Sequence, residues 1–271
     1  DVEITTLANL LGDTNLLADE LRSRFQNTLN NAIVAGQQAT DLNGIDPLNW
    51  TVRGRVYESV IPFNIAGAAD LAKSDYENAR IYNPRSPEPL LSLARVEVQN
   101  GNTSNARDIL RTANEIKSDY VPARFLLAQL EAQAGNIETA ITETQNALFL
   151  APNDIGILFQ LGLLFYQNGQ LENARLAFER AVSVNPNYSN ARYFLGLTYD
   201  RLGENQLAID EFERIKALNP DNQEVNTILS NLRAGRGALQ NISPPAPPPE
   251  EREAPPVEAT VPAEDSETVS Q

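Results

Sequence analysis

The chain contains no cysteine, no histidine and no methionine. Without cysteine it forms no disulfides and no zinc–thiolate sites, and thiol catalysis is excluded. Without histidine it lacks the commonest metal ligand and the commonest general base at neutral pH. The sequence also contains no phosphate-binding loop, nucleotide fingerprint or nucleophile elbow. We therefore expect a protein that is not an enzyme and that binds neither a metal nor a cofactor.

Basic residues are scarce, since 21 lysines and arginines face 36 acidic residues and give a net charge of −15. An acidic chain repels phosphate backbones and anionic lipid surfaces, which argues against nucleic acid as a partner. No apolar run reaches the roughly 18 residues that a transmembrane helix needs, so we expect no direct membrane insertion. The chain starts at Asp1 without a recognisable signal peptide, and we expect a processed product or a fragment.

A period of 34 residues runs through most of the chain. A glycine recurs at this spacing, and an alanine follows each glycine five residues later. These positions are Gly67, Gly101, Gly135, Gly169 and Gly203, and Ala72, Ala106, Ala140, Ala174 and Ala208. A period of this length is typical of stacked repeats, in which each unit contacts only its neighbours.

Each unit is predicted to contain two helices. The glycine ends the first helix, because it accepts the positive φ that reverses the chain. Small residues such as Gly162 let the helix axes approach, and bulky residues such as Phe178 fill the space between them. A proline ends the second helix, as at Pro186.

These units resemble tetratricopeptide repeats. The best match is residues 155–188, with Leu161, Gly162, Phe165, Gly169, Ala174, Phe178, Ala181 and Pro186 in the family's positions. The resemblance implies an all-α fold, an α-α superhelix. Ser118, Thr144 and Ile215 depart from the family's pattern.

The predicted organisation has five parts. Residues 1–52 form an N-terminal helical segment, and residues 53–86 form a degenerate repeat. Residues 87–222 contain four regular units, 87–120, 121–154, 155–188 and 189–222. Residues 223–240 are a capping helix, because an uncapped stack would expose core. Residues 241–271 are a proline-rich acidic tail of low complexity.

A narrower resemblance concerns residues 46–50 (DPLNW), 53–58 (RGRVYE) and 190–197 (NARYFLGL). These segments are similar to bacterial membrane proteins that join an O-antigen-ligase-like multi-spanning region to a C-terminal repeat domain outside the cytoplasm. The resemblance implies that this chain is the extracytoplasmic repeat part, located in the cell envelope or beyond.

The tetratricopeptide resemblance places the first helices of the units on the concave face of the superhelix. The partner-binding groove predicted there consists of Arg95, Phe125, Gln129, Phe159, Leu163, Tyr166, Tyr193, Leu197 and Arg201. Such an apolar and aromatic groove suits an extended peptide or a helix. The alternative is that these aromatic residues serve only to pack on one another.

Three functional hypotheses follow. The first is a non-enzymatic protein–protein interaction scaffold of the cell envelope or extracellular space, which binds a peptide or helix in the groove. The second is a self-assembling subunit of an extracellular filament or homo-oligomer, because heterologous contacts between open ends build filaments. The third is a soluble accessory domain of an O-antigen-ligase-like membrane enzyme.

Overall fold

The computed structural model describes residues 18–242, and within this range the chain forms twelve α-helices, one short 3-10 helix and no strand. The α-helices are α1 (Ala18–Leu42), α2 (Pro47–Glu58), α3 (Ala68–Tyr82), α4 (Glu88–Gln99), α5 (Thr103–Ile116), α6 (Val121–Gln133), α7 (Ile137–Leu150), α8 (Ile155–Gln167), α9 (Leu171–Val184), α10 (Ser189–Leu202), α11 (Asn205–Leu218) and α12 (Gln223–Arg233). The predicted all-α fold is confirmed.

Helices α2 to α11 pair into five consecutive hairpins, and each hairpin packs on the next. All five periodic glycines have a positive φ, between +73° and +81°. A Cβ at any of them would meet no atom within 4 Å, so the turn requires glycine for its backbone conformation and not for space. The five periodic alanines are fully buried, which confirms them as the close-packing positions.

The first hairpin differs from the period in the position of its first helix. Helix α2 begins at Pro47, after the cap Asp46, whose carboxylate accepts a hydrogen bond from the Leu48 N–H. Nine residues separate α2 from α3, whereas three separate α8 from α9. The extra residues include the 3-10 helix Ile61–Phe63. The predicted boundary between residues 52 and 53 therefore falls inside α2.

Helix α1 packs on α2 and is the longest helix of the described range. The indole Nε1 of Trp50 donates a hydrogen bond to the Gly44 carbonyl at 2.7 Å, and the Arg53 guanidinium lies over the indole ring. Trp50 thus holds the turn between α1 and α2. Residues 1–17 of the predicted N-terminal segment and residues 243–271 of the predicted tail lie outside the described range.

Helix α12 and the residues after it close the C-terminal end of the stack. Ile228, Leu229 and Leu232 are at most 2% exposed. The Asn231 side chain donates to the carbonyls of Ala238 and Gln240, which folds the chain back over the helix. The helix itself ends at Arg233, seven residues before the predicted end at residue 240.

The buried apolar residues separate into two large clusters along the stack. One extends from Ala72 to Leu130, and the other from Ala140 to Ala238. Between them, Thr144 replaces the bulky residue of the period, and its hydroxyl donates to the Ala140 carbonyl within the same helix. The two clusters thus divide within the α6–α7 hairpin.

Candidate partner-binding surface

The first helices of the hairpins carry few charges that are free to meet a partner. Helix α8 (IGILFQLGLLFYQ) contains no charged residue, although Phe159, Gln160, Leu163 and Tyr166 are all partly exposed. In contrast, α9 (LENARLAFERAVSV) carries four charged residues. We call the partly exposed side of the first helices α4, α6, α8 and α10 the first-helix surface.

The two charged residues of α6 are turned toward second helices. Arg124 on α6 forms an ion pair with Glu143 on α7 at 2.8 Å. Glu131 on α6 accepts hydrogen bonds from Arg111 and Arg107 of α5. These pairs leave the middle of the first-helix surface uncharged.

Phe194 on α10 is the centre of an aromatic cluster at this surface. Its ring centroid lies 5.7 Å from that of Phe159, 6.0 Å from Tyr166, 5.9 Å from Phe178 and 5.6 Å from Tyr193. The cluster joins α8, α9 and α10, and most of the ring pairs are edge-to-face, which favours aromatic packing. It fixes the orientation of three of the predicted groove residues.

Tyr193 and Tyr166 also make polar contacts at the edge of the cluster. The Tyr193 hydroxyl donates to Glu224 at 2.6 Å, and burial together with this hydrogen bond raises its pKa well above the ordinary value. The Arg201 guanidinium lies 4.6 Å from the centroid of the Tyr166 ring and donates to the Tyr166 carbonyl. Tyr193 is therefore a neutral donor, and Arg201 is already engaged by a cation–π contact.

Arg95 lies at the other end of the predicted groove and has intramolecular partners. Its guanidinium donates to Glu58 at 3.0 Å and to the Ser92 hydroxyl at 2.9 Å. Glu58 also accepts a hydrogen bond from the Tyr76 hydroxyl, whose pKa is raised by burial and by Glu58. The two basic residues of the predicted groove are both bound within the chain, so a clamp for a C-terminal carboxylate is not preformed.

The structure brings together only part of the predicted set. Phe159, Leu163, Tyr166, Tyr193 and Leu197 all pack on the same core cluster, with Leu197 buried inside it. Phe125 and Gln129 are partly buried on α6 and make no ring contact or side-chain hydrogen bond within the described range.

The sequence analysis missed Phe194 and Tyr188, which both contact the Phe159 ring. Phe194 gave no periodic signal, because Gln160 and Leu126 occupy the equivalent positions of the two preceding units. Tyr188 has a counterpart in Tyr120, two units earlier, which was a usable signal.

Two further properties concern the described range alone. No helix within residues 18–242 has both the length and the apolar content that crossing a bilayer requires. In the same range, no three acidic side chains lie close enough to hold a metal ion.

Comparisons with known proteins agree with this architecture. The fold is similar to that of YrrB, solved as a TPR protein with an unusual peptide-binding site, at 19% identity over 72% of this chain and 97% of YrrB, with a TM-score of 0.57. It is also similar to MamA, at 24% identity over 55% of this chain and 86% of that chain (TM-score 0.51). MamA of Desulfovibrio magneticus RS-1 is 18% identical over 63% of this chain and 97% of that chain (TM-score 0.52).

At these identities the solved structures establish the fold alone. No curated protein matches the sequence significantly. The tetratricopeptide-repeat family model matches residues 159–223, which span parts of α8 to α12 and include the Phe194 cluster. The family model thus supports tetratricopeptide repeats within residues 159–223, and the solved structures support the same fold over more of the chain.

Proposed function

We propose that the chain is a non-enzymatic interaction scaffold that binds an extended peptide or a helix of a partner protein on its first-helix surface. The observation that carries the proposal is α8, which is partly exposed and uncharged in a chain with a net charge of −15. A surface of phenylalanine, tyrosine, leucine and glutamine offers apolar area together with amides that bond a peptide backbone.

The arrangement also limits the class of peptide. Arg95 and Arg201 are engaged by Glu58 and by Tyr166, so a terminal carboxylate finds no free cation among the predicted residues. The rigid aromatic cluster loses little conformational entropy when a partner binds, because its rings already hold one another. We therefore expect a segment with apolar anchors and few acidic residues.

Peptide selection on the full-length chain tests this function. Peptides from a random display library are selected on the immobilised protein, and their affinities are then measured for variants. Gln129→Glu and Gln160→Glu each place a charge on the first-helix surface with almost no change in side-chain size. We expect both to weaken the selected peptides by roughly tenfold, which corresponds to about 1.4 kcal/mol.

The matched control is Asn146→Glu, which places the same charge on the exposed side of α7. This variant should bind the selected peptides as tightly as the parent. Equal binding to all three variants, or failure to select any peptide, would count against the proposal.

We further propose that the protein works outside the cytoplasm, in the envelope or the extracellular space. The support is the sequence resemblance of residues 46–50, 53–58 and 190–197. Protease treatment of intact cells that carry the epitope-tagged protein, and of spheroplasts, tests this location. The tag should be digested in one of these preparations before lysis. Protection of the tag until the inner membrane is broken would contradict the proposed location. The same result would also contradict the role as an accessory domain of a ligase-like membrane enzyme.

The self-assembling subunit lacks comparable support. Ile228, Leu229 and Leu232 of the last helix are already covered by the chain's own residues, so the described C-terminal end offers little apolar area to another copy. We therefore favour the scaffold. Light scattering across a range of concentrations distinguishes the two functions, since the scaffold predicts a constant mass.

A further inference from the structure

A second surface lies on the side of the second helices. Helices α7 and α9 border a cleft of about 300 Å³ whose floor is formed by α8. The floor is apolar and consists of Leu158, Leu161 and Phe165, while Leu176 and Arg180 of α9 stand at one rim. Leu176 is 55% exposed, which leaves an aliphatic side chain open to solvent at the entrance.

The hairpin at the cleft lacks an ion pair that both adjacent hairpins have. In α6–α7, Arg124 pairs with Glu143, and in α10–α11, Arg192 pairs with Glu211. Arg124 also donates a hydrogen bond to the Ser118 carbonyl, and Arg192 donates one to the Pro186 carbonyl. The two arginines therefore make equivalent backbone contacts.

In α8–α9, Leu158 lies 34 residues from each of the two arginines, and Ala177 lies 34 residues from each of the two glutamates. These two residues therefore occupy the equivalent positions of this hairpin. Two long side chains are thereby replaced by one of medium size and one that is small. The cleft lies at these two positions, where its lining is apolar, and Gln145 and Asn173 add polar groups beside them.

One unpaired cation borders this apolar cleft. Arg180 forms no ion pair or hydrogen bond within residues 18–242, whereas Arg175 on the same helix pairs with Glu179. The cleft therefore matches a segment that combines compact apolar residues with carboxylates.

We propose that the chain's own C-terminal segment, residues 243–258 (SPPAPPPEEREAPPVE), occupies this cleft. Pro255 and Pro256 would lie on the apolar floor, and Glu250 or Glu251 would pair with Arg180 at its rim. Residues 243–271 contain seven acidic residues and one arginine, so the charge of the segment is opposite to that of Arg180.

The position and length of the segment also favour this cleft. It follows Ile242, which is the last described residue and packs on the core cluster that extends from Ala140 to Ala238. Only α10 and α11 separate α9 from α12, a distance of roughly 20–30 Å at the usual spacing of packed helices. A proline-rich segment in the polyproline II conformation spans about 3.1 Å per residue, so ten residues suffice.

Spin labelling tests the proposal in the full-length chain. Because the protein has no cysteine, Ala254→Cys creates a single attachment site for a nitroxide. In the ¹⁵N-labelled Ala254→Cys protein that carries the nitroxide, we expect the amides of residues 145–148, 158–165 and 176–180 to lose most of their intensity. An intact spectrum in these ranges would overturn the proposal.

The decisive variant closes the cleft with the pair that the adjacent hairpins contain. Leu158→Arg combined with Ala177→Glu should fold, because the flanking hairpins accommodate the same two residues, and its melting temperature verifies this. The intensity losses should disappear in this variant. They should persist in Phe125→Ala, which alters the first-helix surface instead.

Arg180→Glu provides a second variant that keeps the cleft open but reverses the charge at its rim. It should reduce the intensity losses, and undiminished losses would contradict the assigned ion pair. A control mixture identifies contacts between molecules. It combines protein that carries the nitroxide but no ¹⁵N with ¹⁵N-labelled protein that lacks the nitroxide. Losses of the same size in that mixture would overturn occupation within one chain.

Discussion

The ring of Phe212 packs directly on Gly196, so that a Cβ on the glycine would lie only 2.7 Å from Cε2 of the ring. The same relationship joins Gly162 with Phe178. In the hairpins whose bulky position holds Leu110 or Thr144, the small position holds Ala94 or Ala128 instead. The sizes of the two residues are therefore matched within each hairpin.

This match predicts the effect of Gly196→Ala. The added methyl group forces the Phe212 ring to move in a core that has no free space, at a cost of about 1–3 kcal/mol in the free energy of unfolding. Chemical denaturation measures this cost. Adding Phe212→Leu should recover part of the loss, because Leu110 faces an alanine in α4–α5. Strictly additive effects of the two substitutions would contradict the direct contact.

Substitution of Gly169 should destabilise the fold through backbone strain and not through a steric clash. Its φ is +73° and the space around its Cα is open, so only backbone strain opposes a side chain. Gly169→Val should therefore lower stability by roughly 1–2 kcal/mol. Gly169→Asn should cost less, since asparagine tolerates the left-handed conformation. Thermal melts of both variants compare the two, and equal losses would point to a steric cause.

Glu131 predicts a pH dependence of stability. The carboxyl group is buried, which opposes its ionisation, but hydrogen bonds from Asn136 and Arg111 and the charge of Arg107 lower its pKa below the ordinary value near 4.5. A group whose pKa is lower in the folded state stabilises the fold above its unfolded pKa. This contribution is lost as the pH falls through the folded pKa.

Glu131→Gln should therefore lower stability at pH 7 by about 1–3 kcal/mol and flatten its dependence between pH 5 and 3. Urea denaturation at several pH values measures both effects. Glu115→Gln, an exposed position on α5, is the matched control and should change neither quantity. The same pH profile in the parent and in Glu131→Gln would refute the assignment.

Two aromatic residues of the first-helix surface should differ in their contribution to stability. Phe159 contacts the rings of Phe178, Tyr188 and Phe194, whereas Phe125 contacts no ring within the described range. We expect Phe159→Ala to cost about 3 kcal/mol, near the lower end for a core phenylalanine because it is partly exposed. Phe125→Ala should cost clearly less. The reverse order in denaturant unfolding would contradict the observed contacts.

The 34-residue period predicted the regular hairpins because its glycines must adopt a positive φ and its alanines must be small enough to be fully buried. Few other residues meet these two requirements. Positive φ at Gly101 and complete burial of Ala106 follow directly from their positions in the repeat. The shift of α2 to Pro47 could not be found in the same way, because the extra residues before α3 take Asp46 and Gly54 out of register. Both residues have counterparts in Asp154 and Gly162 once that shift is known.

The surfaces were harder to predict than the hairpins. Phe194 occupies a position that changes from unit to unit, so periodicity carried no information about it. The cleft beneath Arg180 was visible in principle, since Leu158 and Ala177 stand where both adjacent units have an arginine and a glutamate. Recognising it required knowing that the two positions face each other, which only the packed structure provides.

Chemical-shift mapping with a selected peptide tests most directly that the first-helix surface is the binding surface. Our account predicts that the largest shifts occur at amides of α6, α8 and α10, around Phe125, Gln129, Phe159 and Tyr193. Shifts concentrated on α7, α9 and α11 would contradict it.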